Sequence, residues 1–277
     1  MRLNAVMRSR TVRWAVSTLE EKLPPLRAWH RFEYEQHFGL ESDWARMFSG
    51  VYDSFESARS AAPKGARTGH DHQETAQRQI SETGQMWLSD YPVLFWMKSL
   101  LRENTKVFDL GGGPGITFFV FRKYLVYPKS LVWKVCDVPA VVQRGTDLTK
   151  SERAEELCFT SNIEDADGAD LVLASGSLQF IETPLSLTLS KLTSKPPHVL
   201  INRTPLCDGT SFTTLNNIGK AFCPYQIRSK EEFVRGFESI GYSLADLWET
   251  PEFSCYIPFH PERSVKVYSG MYFRLDK

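Results

Sequence analysis

Two carboxylates and a run of glycines set the chemistry this chain can do. Val107-Phe108-Asp109-Leu110 is a short apolar run closing on an acid, and Gly111-Gly112-Gly113-Pro114-Gly115 follows at once. Glycines in such a loop let the backbone turn sharply and let a ligand lie against it, because no Cβ intervenes. Gly111, Gly113 and Gly115 read G-x-G-x-G. A dinucleotide fingerprint needs its third glycine one place later, where Ile116 stands, and the Lys-Ser/Thr pair of a phosphate-cradling P-loop is missing. Asp137 lies about 20 residues beyond the loop and follows the apolar run Leu131 to Cys136, where the second strand of an open α/β sheet brings a carboxylate to the hydroxyls of a ribose. A carboxylate can accept from both oxygens of that diol.

Proton acceptors are fewer. Of the six histidines, His30 and His37 stand among aromatics, His198 opens a strand at the end away from the glycine loop, and His260 sits between two prolines. His70-Asp71-His72 falls in a polar, breaker-rich stretch, Ala61 to Gln73, that reads as a loop. An adjacent carboxylate can raise a histidine's pKa toward working pH, which makes His70 and His72 candidate general bases. Glu182, after the fourth strand of the sheet, is the runner-up. The ordinary reading of all three is a solvated loop or surface acid.

These residues need a frame of alternating strands and helices. From Thr105 the pattern is strand, glycine turn and an apolar helix from Ile116 to Val126. A strand at Leu131 to Val135 and a helix at Ala140 to Thr146 follow. Strands are expected next at Cys158 to Thr160, Asp170 to Ala174 and His198 to Ile201, with a helix at Leu185 to Leu192. In such a sheet Val138, Ser161-Asn162-Ile163 and Ser175-Gly176 lie at strand exits facing the cofactor. Ser229 with Glu232 forms a capping-box signature for a helix ending before Gly241. Tyr242 to Trp248 and Val267 to Arg274 close the chain as an antiparallel pair. The fold class is α/β, a Rossmann-like, mostly parallel sheet whose last strand is antiparallel.

Residues 1–104 precede that frame and are expected to form a helical region serving the substrate or capping the site, with the cofactor domain at 105–277. Val12, Val16, Leu19 and Leu23 share one helical face, arginines crowd its first half and Pro24-Pro25 end it. Such a helix packs on its own domain, or makes weak peripheral contact with acidic lipid. Trp29 to Phe55 is rich in aromatics that build core or line a pocket, with Phe48 to Tyr52 read as a turn around Gly50. Ser81 to Leu101 reads as helix with Pro92 in a first turn.

The 277 residues are 42% hydrophobic and 24% charged, ordinary for a globular chain, and the net charge of zero gives no general reason to expect nucleic acid. Five widely spaced cysteines without a C-x-x-C argue against a zinc site or disulfide framework and for a reducing, cytoplasmic setting. No metal is expected. The first residues lack the apolar core of a secretory signal, and no run is long enough to span a membrane.

From Lys106 onward the sequence resembles class I S-adenosylmethionine-dependent methyltransferases. Asp109-Leu-Gly-Gly-Gly-Pro-Gly115 and Cys136-Asp137-Val-Pro-Ala-Val-Val142 are similar to small-molecule O-methyltransferases, which pair a D-x-G-G-G loop with a D-L-P-x-V-x strand end. Phe48-Ser-Gly-Val-Tyr52, Tyr91-Pro-Val-Leu-Phe-Trp96 and Phe222-Cys-Pro-Tyr225 extend the likeness to a bacterial group of methyltransferases associated with surface-polysaccharide synthesis. The resemblance implies S-adenosylmethionine as cofactor, held by Asp109, Gly111 to Gly115, Asp137, Val138, Ser161 to Ile163, Ser175 and Gly176. It also implies O-methylation of a sugar or glycan intermediate. The alternatives are N- or phenol-directed methylation of a small molecule and an inactive partner protein of the same fold. One departure matters: where caffeate-type enzymes carry a catalytic His after the fourth strand, this chain has Gln179, which takes up no proton at neutral pH.

Overall fold

The computed structural model describes residues 23–39, 47–73 and 85–276. In chain order these form α1 (Pro24–Phe38), β1 (Met47–Tyr52), α2 (Phe55–Ser60), α3 (Asp90–Leu100), β2 (Lys106–Leu110) and α4 (Ile116–Phe121). They continue with β3 (Val132–Cys136), α5 (Pro139–Glu152), β4 (Leu157–Thr160), β5 (Leu171–Ser175), α6 (Leu185–Ser190) and β6 (His198–Thr204). The last elements are β7 (Leu206–Cys207), β8 (Phe212–Asn217), β9 (Phe222–Ser229), α7 (Lys230–Glu238), β10 (Tyr242–Thr250) and β11 (Tyr268–Leu275). The expected basic helix around Val12 to Leu19, and with it the lipid contact, lies outside the described residues.

The chain divides into two compact units. One takes the residues up to Thr68 with Phe212–Tyr225 and Cys255–Val265; the other takes Gly69–Ser211, Gln226–Ser254 and the residues from Lys266. This division does not follow the expected boundary at residue 104, because α3 and the loop before it belong with the sheet. The first unit is also not purely helical. Phe48 to Tyr52, expected as a turn, is β1, paired antiparallel with β8 through Met47–Asn217, Phe48–Asn216 and Ser49–Leu215. Gly50 marks a break in that register, not a chain reversal: its φ is +73°, and the Tyr52 ring fills the place a Cβ would need. Phe38, Leu215 and Phe222 form this unit's core, with Tyr34, Met47 and Tyr52 against them. His30 packs edge-on against Phe259, as expected of a structural histidine.

The second unit is built on a seven-stranded sheet of order β10-β11-β6-β5-β2-β3-β4. Strands β4, β3, β2, β5 and β6 run parallel, while β11 is antiparallel to both β6 and β10. Parallel strands covered on both faces read as continuous apolar runs, and β5 is one, with Leu171 to Ala174 at most 1% exposed. Successive residues then serve opposite cores. Phe108, Val172, Ala174, Val199 and Ile201 join Phe237 and Phe273 on one face; Val107, Trp133, Leu171, Leu173 and Leu200 join Phe118 and Tyr272 on the other. Helix α7 starts where Ser229 Oγ accepts from the Glu232 N–H, but the Glu232 carboxylate accepts from Ser211 and leaves the capping box half formed. The helix after the glycine loop stops at Phe121, five residues short of the expected Val126. Among the described residues no helix is long and apolar enough to cross a membrane.

Candidate cofactor site

The strand order reverses direction at β2. From it β3 and β4 lie to one side and β5 and β6 to the other, and the crevice at the carboxyl ends of such strands is where open α/β sheets bind ligands. The glycine loop leaves β2 at that point. Gly111 donates to the Cys136 carbonyl at 2.7 Å, which ties the loop to the end of β3. Gly111, Gly113 and Gly115 all have positive φ, +70°, +59° and +88°, which side chains rarely adopt. At two positions the protein's own atoms need the space. A Cβ on Gly111 would overlap Ser177, and one on Gly112 would overlap the Asp109 carboxylate.

Gly113 does something different. Its N–H donates to Asp137 Oδ2 at 3.0 Å, while Asp137 Oδ1 accepts from the Val138 N–H at 2.8 Å. The expected ribose carboxylate is thus pinned across the mouth of the loop, and each of its oxygens keeps a lone pair to spare. Burial pushes its pKa up to about 6, against the pull of those two N–H groups, and the nearby Asp71 charge adds to the rise. Asp109 is placed otherwise than expected. It is fully buried beneath the loop, where Oδ2 accepts from Trp133 Nε1 at 3.1 Å and Oδ1 has no hydrogen-bond partner among the described residues. Its pKa is raised to about 7, by desolvation first and by the Asp137 charge as well, against the pull of the Trp133 hydrogen bond. Asp109 therefore supports the loop from below, against Gly112 and Trp133.

The remaining strand exits complete the rim. Val138 caps α5, whose Pro139 sits in the first turn. Ser161 and Asn162 are exposed beyond β4, Asn162 capping a short 3-10 turn by accepting from the Glu164 N–H, and Ile163 is half-buried against the core. Pro114 is buried in the loop. After β5, Gly176 donates to the Asn202 carbonyl at 2.9 Å, and Ser177 Oγ donates to the Leu110 carbonyl at 2.6 Å. Ser175 accepts from Asn202 Nδ2 at 3.3 Å.

Of the candidate bases, His70 sits beside this rim. Its ring meets Phe180 edge-on with centroids 4.4 Å apart. Its pKa is lowered to about 4, by desolvation first and by His72 second. This reverses the expectation that Asp71 would raise it: Asp71 spends its carboxylate on the Ala140 N–H, 2.8 Å away. His72 is half-buried on the same turn, its N–H on the His70 carbonyl at 2.8 Å. Glu182 is exposed. Gln179, standing where caffeate-type enzymes have histidine, is buried and donates through Nε2 to the Gly176 carbonyl at 2.7 Å, so it braces the β5 exit.

Two features escaped the sequence reading. Arg228 on β9 is buried and donates to the carbonyls of Leu178, Ile181 and Glu182 at 2.9, 2.6 and 3.1 Å, clamping the β5 exit loop. An arginine following Ile227 in a largely apolar, aromatic-rich strand was the available signal. At the ends of β5 and β6, Asp90 pairs with Arg203, a non-glycine residue at φ +55°, whose guanidinium also lies 5.1 Å over the Phe253 ring. Nothing local in the sequence connects residues this far apart.

No family model and no curated protein matches the chain. Solved structures do. A chain of the complex between the Haloferax volcanii Trm112 methyltransferase activator and a methyltransferase is similar over 74% of this chain and 95% of its own length, at 16% identity and a TM-score of 0.52. The Burkholderia thailandensis 1,6-didemethyltoxoflavin-N1-methyltransferase, bound to its substrate and S-adenosylhomocysteine, is 16% identical over 78% of this chain and 95% of that one, with a TM-score of 0.48. Magnesium protoporphyrin IX methyltransferase from Synechocystis PCC 6803, with bound S-adenosylmethionine, is 13% identical over 73% and 92%, with a TM-score of 0.47. The first likeness, with the strand order above, shows a Rossmann-like fold, one shared with a methyltransferase complex.

Proposed function

We propose that the protein is an S-adenosylmethionine-dependent methyltransferase acting on a hydroxyl of a small molecule, a sugar or glycan intermediate being the favoured acceptor. One observation carries the cofactor reading: Asp137 and the Gly113 N–H close on each other across the loop at the β2–β5 switch point, with carboxylate lone pairs left for a diol. The residues fit an adenosyl ligand. Gly113 turns the loop at φ +59° without a Cβ, Asp137 can accept from ribose hydroxyls, and the exits of β4 and β5 at Ser161 to Ile163 and Ser175-Gly176 flank it. When bound, the cofactor would supply an electrophilic methyl on a good leaving group, so alignment of the acceptor is the protein's larger task.

His70, with a pKa near 4, is neutral at working pH but a weak proton acceptor. Glu182 presents its carboxylate to solvent. The structure therefore favours alignment with little help from a base, and His72 remains the candidate to test. The glycan acceptor rests on the sequence resemblance, and the cytoplasmic setting on the spaced cysteines. Calorimetry with S-adenosylmethionine, S-adenosylhomocysteine and NADH tests the cofactor; binding of NADH alone would reject this reading. A mass-spectrometric screen of nucleotide sugars and lipid-linked saccharides for the gain of one methylene then tests the acceptor. Turnover of a phenol or amine in place of every saccharide would move the assignment to the small-molecule alternative.

A further inference from the structure

Two neighbouring residues hold elements that flank the glycine loop on opposite sides. Asp71 Oδ1 accepts from the Ala140 N–H at 2.8 Å, in the first turn of α5 on the β3 side. The His70 ring lies against Phe180, 4.4 Å between centroids, on the β5 side. Strand β2 stands between β3 and β5, so the chain from His70 to Asp71 passes over the carboxyl end of β2, where the glycine loop emerges. The segment is short and tightly turned: Gly69 opens it at φ +85° with open space around its α-carbon, and the His72 N–H folds back onto the His70 carbonyl. It has two faces, with Asp71 exposed and His70 half-buried.

We infer that Gly69 to His72 is the roof of the cofactor cleft and that Asp71 is the positioning residue that keeps it closed over an adenosyl ligand. This rests on the cofactor reading above. The hold is a charge-assisted hydrogen bond to an N–H at the positive end of a 14-residue helix. His70 contributes packing to the inner face, not a proton. Asp71 also acts at a distance. Its charge is one of the groups facing Asp137, together with Asp109, the Cys136 thiol and the N–H groups of Gly113 and Val138, and it makes ionised Asp137 harder to hold.

The test measures release of S-adenosylhomocysteine from the full-length protein by stopped flow, beside calorimetry and thermal melting, for the parent, Asp71→Ala and Asp71→Asn. Asparagine keeps the capping oxygen and drops the charge. Asp71→Ala should release the ligand roughly five- to tenfold faster, while Asp71→Asn stays close to the parent rate. In Asp71→Asn the loss of affinity on acidification should also move to lower pH, since Asp137 has lost a like-charged neighbour. A residue that only capped α5 would lower the melting temperature of Asp71→Ala and leave release unchanged; that result overturns the roof. A parent that binds neither S-adenosylmethionine nor S-adenosylhomocysteine overturns the cofactor reading and the roof with it, whereas a parent that binds both while Asp71→Ala behaves identically overturns the roof alone.

Discussion

Replacing Asp109 by Asn removes a carboxyl that the fold holds with no solvent contact and a single donor, Trp133 Nε1. Asn keeps an acceptor for that donor, so the hydrogen bond is common to both proteins and the charge is what changes. The carboxyl's pKa is about 7 when folded against 3.8 as its ordinary value. A gap of about three units corresponds to about 4 kcal/mol. Between pH 4 and pH 7 the folded protein keeps a proton that the unfolded chain has released. Stability from this group is therefore complete below the ordinary carboxyl pKa and is lost as pH rises through about 7, the reverse of a salt-bridged aspartate. Asp109→Asn does not titrate, so its melting temperature should climb relative to the parent across this window. At about 2–4 °C per kcal/mol for a chain of this size, the relative gain approaches roughly 8–16 °C. Differential scanning calorimetry of both proteins at matched pH values measures it, and groups common to both cancel in the difference. Because Asp137 raises the Asp109 pKa, the same comparison in an Asp137→Asn background should show a smaller gain. A difference curve flat from pH 4 to pH 8 would refute the burial argument.

Asp137→Ala should weaken S-adenosylmethionine binding by roughly ten- to a hundredfold, the value of charge-assisted hydrogen bonds to a carboxylate, measured by calorimetry. In the parent, affinity should fall as pH drops through about 6, where Asp137 takes up a proton and loses acceptor capacity. Gly112→Ala sets a methyl into the Asp109 carboxylate and should cost about 1–3 kcal/mol in denaturant unfolding, with loss of cofactor binding. Arg228→Met takes a donor from three carbonyls of the β5 exit, of which Leu178 keeps the Ile181 N–H at 3.3 Å, and should cost about 1–3 kcal/mol for each buried carbonyl left unpaired; Arg228→Lys should recover part of that in the same melts. Glu182→Gln should keep turnover near the parent value, whereas a working base would lose about 10² to 10⁴; His70→Ala, which removes ring packing on Phe180, should lose far less than that, and His72→Ala in the same kinetic assay decides whether a histidine of this loop takes the proton.

The sheet was legible because its signals are local. Apolar runs of strand length, glycines with a required φ, and an acid at a strand exit all act within a few residues of chain, and β2, β3 and their loops fell where those signals stand. The first unit was less legible because its strands depend on distant partners. Phe48 to Tyr52 carries a glycine that reads as a turn, and only its pairing with residues 213 to 217 makes it a strand. Phe222 to Ser229 carries Pro224 and Arg228, each a mark against a buried strand, yet β9 accommodates both.

Electrostatics was the least legible level, and His70 shows why. Reading His70-Asp71-His72 along the chain makes the middle carboxylate a neighbour of both rings, so a raised pKa follows from proximity. In the fold, the carboxylate is committed to Ala140 on one side, while the His70 ring turns to Phe180 on the other. Burial then outweighs a charge that is adjacent in sequence, and the shift changes sign. The same displacement gives the segment a use that proximity did not suggest. A histidine that packs and an aspartate that caps hold a turn across the mouth of the glycine loop, and holding is a requirement of a reaction governed by alignment.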